Sequence, residues 1–280
     1  MKKILPLVIV IVLLAASFFG WKLLKGKKDV VEEKRPKKAK VENVNKLPLE
    51  QRPYVLIEPK SKIRPNDLGY WITISIYNAD DYQGVDYEVE YQAGTLIQGF
   101  RHSLDFSKEE KPYAKESFFG SESKGKYYYH ENMIGGSILL QFFKDVTTYD
   151  ALKTQFNIQN MEEKEGMFTS NDAKASLEVD EKDMSKSYWV LIASTLGLPE
   201  PLEGKVLSEP YGFYAHKALS FENTTLTIKS KEDLTNAKIM GWNGEEWVEY
   251  ETEVNEDSAS TKIDSLGTYV LVSFQEAETE

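Results

Sequence analysis

Trp71-Ile-Thr-Ile-Ser-Ile-Tyr77, Asn78-Ala-Asp-Asp-Tyr-Gln-Gly84 and Val85-Asp-Tyr-Glu-Val-Glu-Tyr91 follow one another without a gap. In the last of them Val85, Tyr87, Val89 and Tyr91 share one side, and Asp86, Glu88 and Glu90 take the other. Successive side chains of a strand point to opposite faces, so this alternation predicts a half-buried β-strand. The first stretch is built of β-branched and aromatic residues, which suit a pleated surface. Between them lies a run of Asn, Asp, Gln and Gly with turn chemistry. Together the three predict an antiparallel hairpin.

The same style continues outward in both directions. Residues 54–57 open the series, and strands are expected at 95–102, 126–130, 137–143 and 153–159. Later ones are expected at 175–179, 188–193, 224–228, 237–241, 247–254, 260–263 and 269–274. Gly120-Ser-Glu-Ser-Lys-Gly125 and the acidic residues 161–166 read as turns. Sustained helical periodicity and internal repeats are missing. The fold class expected is all-β, with two β-sandwich-like domains at 53–166 and 167–280. Asn243-Gly244 predicts a two-residue hairpin loop, since both turn positions need positive φ. That register sets Met240 opposite Trp247, Ile239 opposite Val248 and Lys238 opposite Glu249. The alternative, a four-residue loop, would pair Trp242 with Trp247 and Met240 with Glu249, and the first register is the expectation.

Upstream of residue 53 the chemistry changes. After Lys2 and Lys3, residues 4–21 carry no charge, and Leu23 and Leu24 extend the run past Lys22. Eighteen residues at about 1.5 Å each span a hydrocarbon core, so residues 1–24 are expected to form a transmembrane helix contacting the bilayer through residues 4–24. The rival is a cleaved signal peptide, with Ala15-Ala16-Ser17 as the small-residue site. The apolar run continues past that site to Trp21, which suits an interfacial anchor. Leu14-Ala-Ala-Ser17 resembles a lipoprotein signal, but serine stands where the lipid-bearing cysteine belongs. Residues 25–52 hold ten Lys or Arg against five Asp or Glu, with Pro36 and Pro48. Such a segment buries too little to offset its ordering entropy and is expected to be a flexible charged stalk. Its lysines argue for a cytoplasmic body by the positive-inside rule. The signal-like start and a stalked β-rich body argue for the outside, and an extracytoplasmic body is the expectation taken here.

Charge and composition narrow the function. Of 280 residues, 34 are basic and 45 acidic, and the body from residue 53 onward carries a net charge of −19. A surface this acidic repels phosphate backbones, so nucleic acid is not an expected partner. With no cysteine, disulfides, thiol nucleophiles and cysteine-held zinc are excluded. The three histidines, His102, His130 and His216, stand in no metal-binding spacing. Asp80, Asp81 and Asp86 lie near one turn but lack the alternate spacing of a calcium loop. No nucleophile elbow or phosphate loop occurs, so catalytic residues, metal and cofactors are all expected to be none.

Trp242-Asn-Gly-Glu-Glu-Trp247 and Gly267-Thr-Tyr-Val-Leu271, preceded by Tyr211-Gly-Phe-Tyr214 and Leu226-Thr-Ile228, resemble the strands of β-sandwich modules in bacterial surface proteins. The likeness covers residues 205–274 and implies a stalked surface module, with no functional residue transferred. The expected function is a membrane-anchored, non-enzymatic cell-envelope protein that presents β-sandwich domains for binding or assembly, with an envelope protein or glycan as partner. The alternative is an extracytoplasmic hydrolase of carbohydrate or peptide, using a carboxylate pair or a dispersed triad. A recognition patch is expected where aromatics crowd a loop-rich stretch, at Phe118, Phe119, Tyr128 and His130. Tyrosine gives broad contact area with a polar tip, which is why it recurs at interfaces.

Overall fold

The computed structural model describes residues 44–60, 70–180, 182–185, 188–217 and 219–274. Among them the protein is all-β, with several sheets. The strands run β1 (Tyr54–Lys60), β2 (Trp71–Tyr77), β3 (Gly84–Ala93), β4 (Leu96–Asp105), β5 (Tyr113–Phe118), β6 (Gly120–Ser123), β7 (Lys126–Tyr129), β8 (Met133–Phe143) and β9 (Tyr149–Asn160). A four-residue helical turn α1 (Met161–Lys164), capped by Asn160, leads to β10 (Met167–Thr169), β11 (Ala175–Glu178), β12 (Trp189–Ser194), β13 (Lys205–Val206) and β14 (Tyr211–Ala215). The chain closes with β15 (Thr224–Lys229), β16 (Ala237–Trp242), β17 (Trp247–Tyr250), β18 (Glu253–Val254), β19 (Ser258–Ile263) and β20 (Thr268–Ser273).

One long antiparallel sheet organises these strands. Its order is β17-β16-β20-β14-β12-β9-β8-β3-β4, with β13 paired to β20. A three-stranded sheet, β1-β2-β5, packs over the β4 end, and a five-stranded sheet, β10-β11-β15-β19-β18, packs over the β17 end. The two layers cover opposite faces of the long sheet, and β12 shows this directly. Its Leu191 and Ala193 belong to the first core, whereas Val190 and Ile192 belong to the second. Because neighbours on a strand point oppositely, a strand buried on both sides must be apolar throughout. Val190-Leu-Ile-Ala193 meets that demand. Ile72, Ile74 and Ile76 of β2 meet Val85, Tyr87 and Val89 of β3 in the first core, all nearly fully buried. Each such side chain contributes about 1.5–3 kcal/mol by leaving water.

The expected strands at 71–77 and 85–91 are present, but the hairpin between them is not. β2 pairs with β1 and β5, while β3 pairs with β4 and β8. Residues 78–83 therefore cross from one sheet to the other, so the apolar faces of β2 and β3 meet across the core rather than side by side. The Asn243 hairpin also differs from expectation. Trp242 stands opposite Trp247 and Met240 opposite Glu249, which makes a four-residue loop. Two interactions account for it. Asn243 Oδ1 accepts hydrogen bonds from the amides of Glu245 and Glu246 at 2.8 Å each, and the two indoles meet edge to face at 5.5 Å. The Lys238–Glu249 ion pair still forms, diagonally, at 3.3 Å. Residues 120–123, expected in a turn, form β6.

Residues 44–52, expected at the end of the stalk, are seated on the body. Val44 bridges Ala151, and Asn45 exchanges hydrogen bonds with the Lys153 backbone at 2.9 and 2.8 Å. Arg52 donates to the carbonyls of Leu47, Asn45 and Leu196 and to Glu209. These contacts are long-range, so a local charge pattern does not reveal them. Among the described residues no helix is long and apolar enough to cross a membrane. The span expected at 4–24 and the stalk through residue 43 lie outside the described residues.

Candidate recognition surface

β6 and β7 form a separate two-stranded ribbon. Ser123 faces Lys126, which leaves Lys124 and Gly125 as a two-residue loop with φ of 52° and 75°. Two positive φ values match the twist of the flanking strands, and glycine takes the second at no steric cost. Glu122 Oε1 accepts the Gly125 amide at 2.7 Å and fixes the tip.

The ribbon has two different faces. On the inner one, Tyr127 meets Phe118 edge to face at 5.1 Å and Trp71 at 5.4 Å. Tyr129 stacks on Tyr70 at 4.9 Å, and its hydroxyl accepts the Trp71 indole N–H at 3.0 Å. Trp71 and Phe118 are cross-strand partners on β2 and β5, with rings 4.9 Å apart. Aromatic pairs of this kind are worth about 0.5–1.5 kcal/mol beyond the area they bury. Burial, and then the charge of Glu131, raises the Tyr70 hydroxyl above its ordinary pKa, so it stays neutral. On the outer face Tyr128 is 57% exposed, while Tyr127 at the rim is 49% exposed. Tyr128 thus stands in water on the outer face, while Tyr127 is half in water over Phe118 and Trp71.

The four residues expected to form a patch are not brought together. Tyr128 is on the surface and Phe118 is half-buried beneath Tyr127. Phe119 is fully buried in the first core, 4.8 Å from the Tyr91 ring and 6.1 Å from Phe156. His130 is half-buried and its Nδ1 lies 2.9 Å from the Tyr91 hydroxyl. The cause is the switch between sheets at the end of β5, where neighbours Phe118 and Phe119 take opposite sides. The structure adds Tyr70 and Trp71, which are distant in sequence from β7. Only the pairing of β2 with β5 joins them, and no sequence signal carries that pairing.

The other candidate chemistry is dispersed. His102 Nε2 lies 2.9 Å from Ser117 Oγ, and burial lowers its pKa. His216 is buried beside the Tyr188 ring at 4.9 Å. Asp80 pairs with Lys111, and Asp86 accepts from Ser103, so each acid already has a partner. Among the described residues no three His, Asp or Glu side chains cluster closely enough to hold a metal ion. A cavity of ≈ 420 Å³ contains Asp172, Glu209 and Lys153. Burial pushes the Asp172 carboxyl up, but bonds from Ser170, the Tyr211 hydroxyl and the Lys174 amide, with the Lys174 charge, together outweigh it and leave its pKa lowered. No family model, curated protein or solved structure matches this chain.

Proposed function

We propose that the chain is a membrane-anchored, non-enzymatic cell-envelope protein whose β-rich body captures a protein partner through the β6–β7 ribbon. The tether is residues 4–24, the stalk runs through residue 43, and the body lies outside the cytoplasm as two sandwich-like parts sharing the long sheet. The apolar run supports the tether, and the signal-like Lys2-Lys3 start with a stalked β-rich body supports the outward orientation. The single observation carrying the partner surface is the exposure of Tyr128 on the outer face of the ribbon and of Tyr127 at its rim, where Trp71, Phe118 and Tyr129 back Tyr127. Protein interfaces concentrate such aromatics, because a rigid ring gives large contact at little entropic cost.

The test compares full-length protein with a Tyr127→Ala/Tyr128→Ala variant as bait in envelope extracts. Loss of a band retained by the unaltered protein supports the reading. An identical set of captured proteins from both baits would remove it.

A further inference from the structure

The layer over the second core stops short of the β4 end, which leaves one face of β4-β3-β8-β9 outside both cores. The register on this face is regular. Glu90 stands opposite Ser137, and Ser137 opposite Gln155; in the next row Gln92 stands opposite Gly135, and Gly135 opposite Asn157. The middle strand thus supplies the small residues and its neighbours the long polar ones. The result is a channel along β8, floored by Gly135 and Ser137 and walled by a carboxylate and amides. A Cβ on Gly135 would come within 2.2 Å of the Phe156 carbonyl oxygen, so close strand approach holds glycine in the floor.

The channel is a built concavity of ≈ 270 Å³. It adjoins the ≈ 420 Å³ cavity at the edge of the second layer, since Gln155 and Asn171 line both. Together they reach the size of ordinary ligand sites, about 300–1,000 Å³. The far wall is fixed by hydrogen bonds. Asn157 donates to the Thr169 carbonyl at 2.9 Å and accepts from Asn171 at 3.2 Å. At the mouth, Ile97 and Ile134 are 77% and 56% exposed.

We propose that this channel binds a neutral glycan strand. A planar amide offers a donor and an acceptor side by side, and a carboxylate offers two acceptors, which together match adjacent sugar hydroxyls. Ile97 and Ile134 supply apolar contact for the C–H face of a ring. The acidic body disfavours phosphate-bearing or acidic polymers. An extended peptide is the weaker fit, since it gains its backbone bonds at a sheet edge and its specificity from alternate side-chain pockets. This site lies on a sheet face, and its walls are polar.

The experiment uses the full-length chain in a detergent without a sugar headgroup. Soluble β-1,4-linked glucose and N-acetylglucosamine oligomers, an α-1,4-glucose oligomer, an acidic uronic-acid oligomer and an unlabelled neutral peptide are titrated by ligand-observed NMR. Binding of at least one neutral oligosaccharide is expected, and at least tenfold weaker binding in Glu90→Ala/Gln155→Ala. Both of those side chains are exposed, so the fold should be retained. Ser137→Gln, which fills the floor, should act the same way, whereas Tyr127→Ala/Tyr128→Ala should bind like the unaltered chain. The proposal is overturned if no neutral oligosaccharide binds, if the peptide or the acidic oligomer binds in preference, or if both channel variants bind normally.

Discussion

Replacing Phe119 and Tyr128 by alanine, separately, asks whether the chain really divides its aromatics between core and surface at the end of β5. Phe119 is fully buried among Tyr91, Phe100 and Phe156, with ring separations of 4.8, 6.4 and 6.1 Å. Its side chain would leave a closed cavity in a wall that two sheets hold in place. Phe→Ala in such sites costs about 3–5 kcal/mol. Tyr128 is 57% exposed on the outer face of a two-stranded ribbon, and its truncation should cost less than about 1 kcal/mol. The assay is urea unfolding of residues 40–280, which form one compact unit, followed by tryptophan fluorescence. With a urea slope of about 2 kcal/mol/M, Phe119→Ala should move the midpoint down by about 1.5–2.5 M, and Tyr128→Ala by less than about 0.5 M. Equal shifts would refute the sheet switch between Phe118 and Phe119, as would a larger loss for Tyr128.

Other expectations follow from single features. Deleting residues 1–39 should release a soluble, folded body, because both cores lie in residues 54–272; aggregation of that chain would contradict the division. Arg52→Ala strips donors from three backbone carbonyls and should cost about 2–3 kcal/mol locally. Hydrogen exchange at residues 44–52 should speed up, with the rest of the chain unchanged. Burial, and then the Lys217 charge, lowers the pKa of His216. Between that lowered value and about 6.5, the unfolded chain binds more protons than the folded one, so stability falls as pH drops through this window. His216→Gln should flatten the decline that pH-dependent urea titrations measure, leaving the part due to His102; an unchanged slope would remove His216 as its source.

The sequence makes individual strands legible far better than their partners. Alternation in Val85-Asp-Tyr-Glu-Val-Glu-Tyr91 identifies β3 because one face is buried and the other is not. The same residues do not say which strand lies beside them. Their apolar face is satisfied equally by a hairpin neighbour or by a sheet packed across the core, and the structure takes the second. In the 237–250 hairpin, Asn243 favours a tight turn locally, but its side chain bonds two amides and lengthens the loop. The charged character of residues 44–52 conceals ordered structure, because Arg52 and Asn45 are held by groups more than 100 residues away. For the surface, aromatic crowding near β7 points to Tyr128 directly. Trp71 and Tyr70, which pack against Tyr127 and Tyr129 on the inner face, and the channel along β8 depend on register across sheets and become visible only there.

The most direct measurement is photo-crosslinking in intact cells that make the protein, with a benzophenone amino acid placed in turn at positions 127, 128 and 254. Val254 is 44% exposed on β18, an edge strand of the layer over the second core, and serves as the distant control. A discrete protein adduct from positions 127 and 128, absent from position 254, is the expected result. Adducts of equal yield at all three positions, or none at 127 and 128, would contradict capture of a partner by the aromatic ribbon.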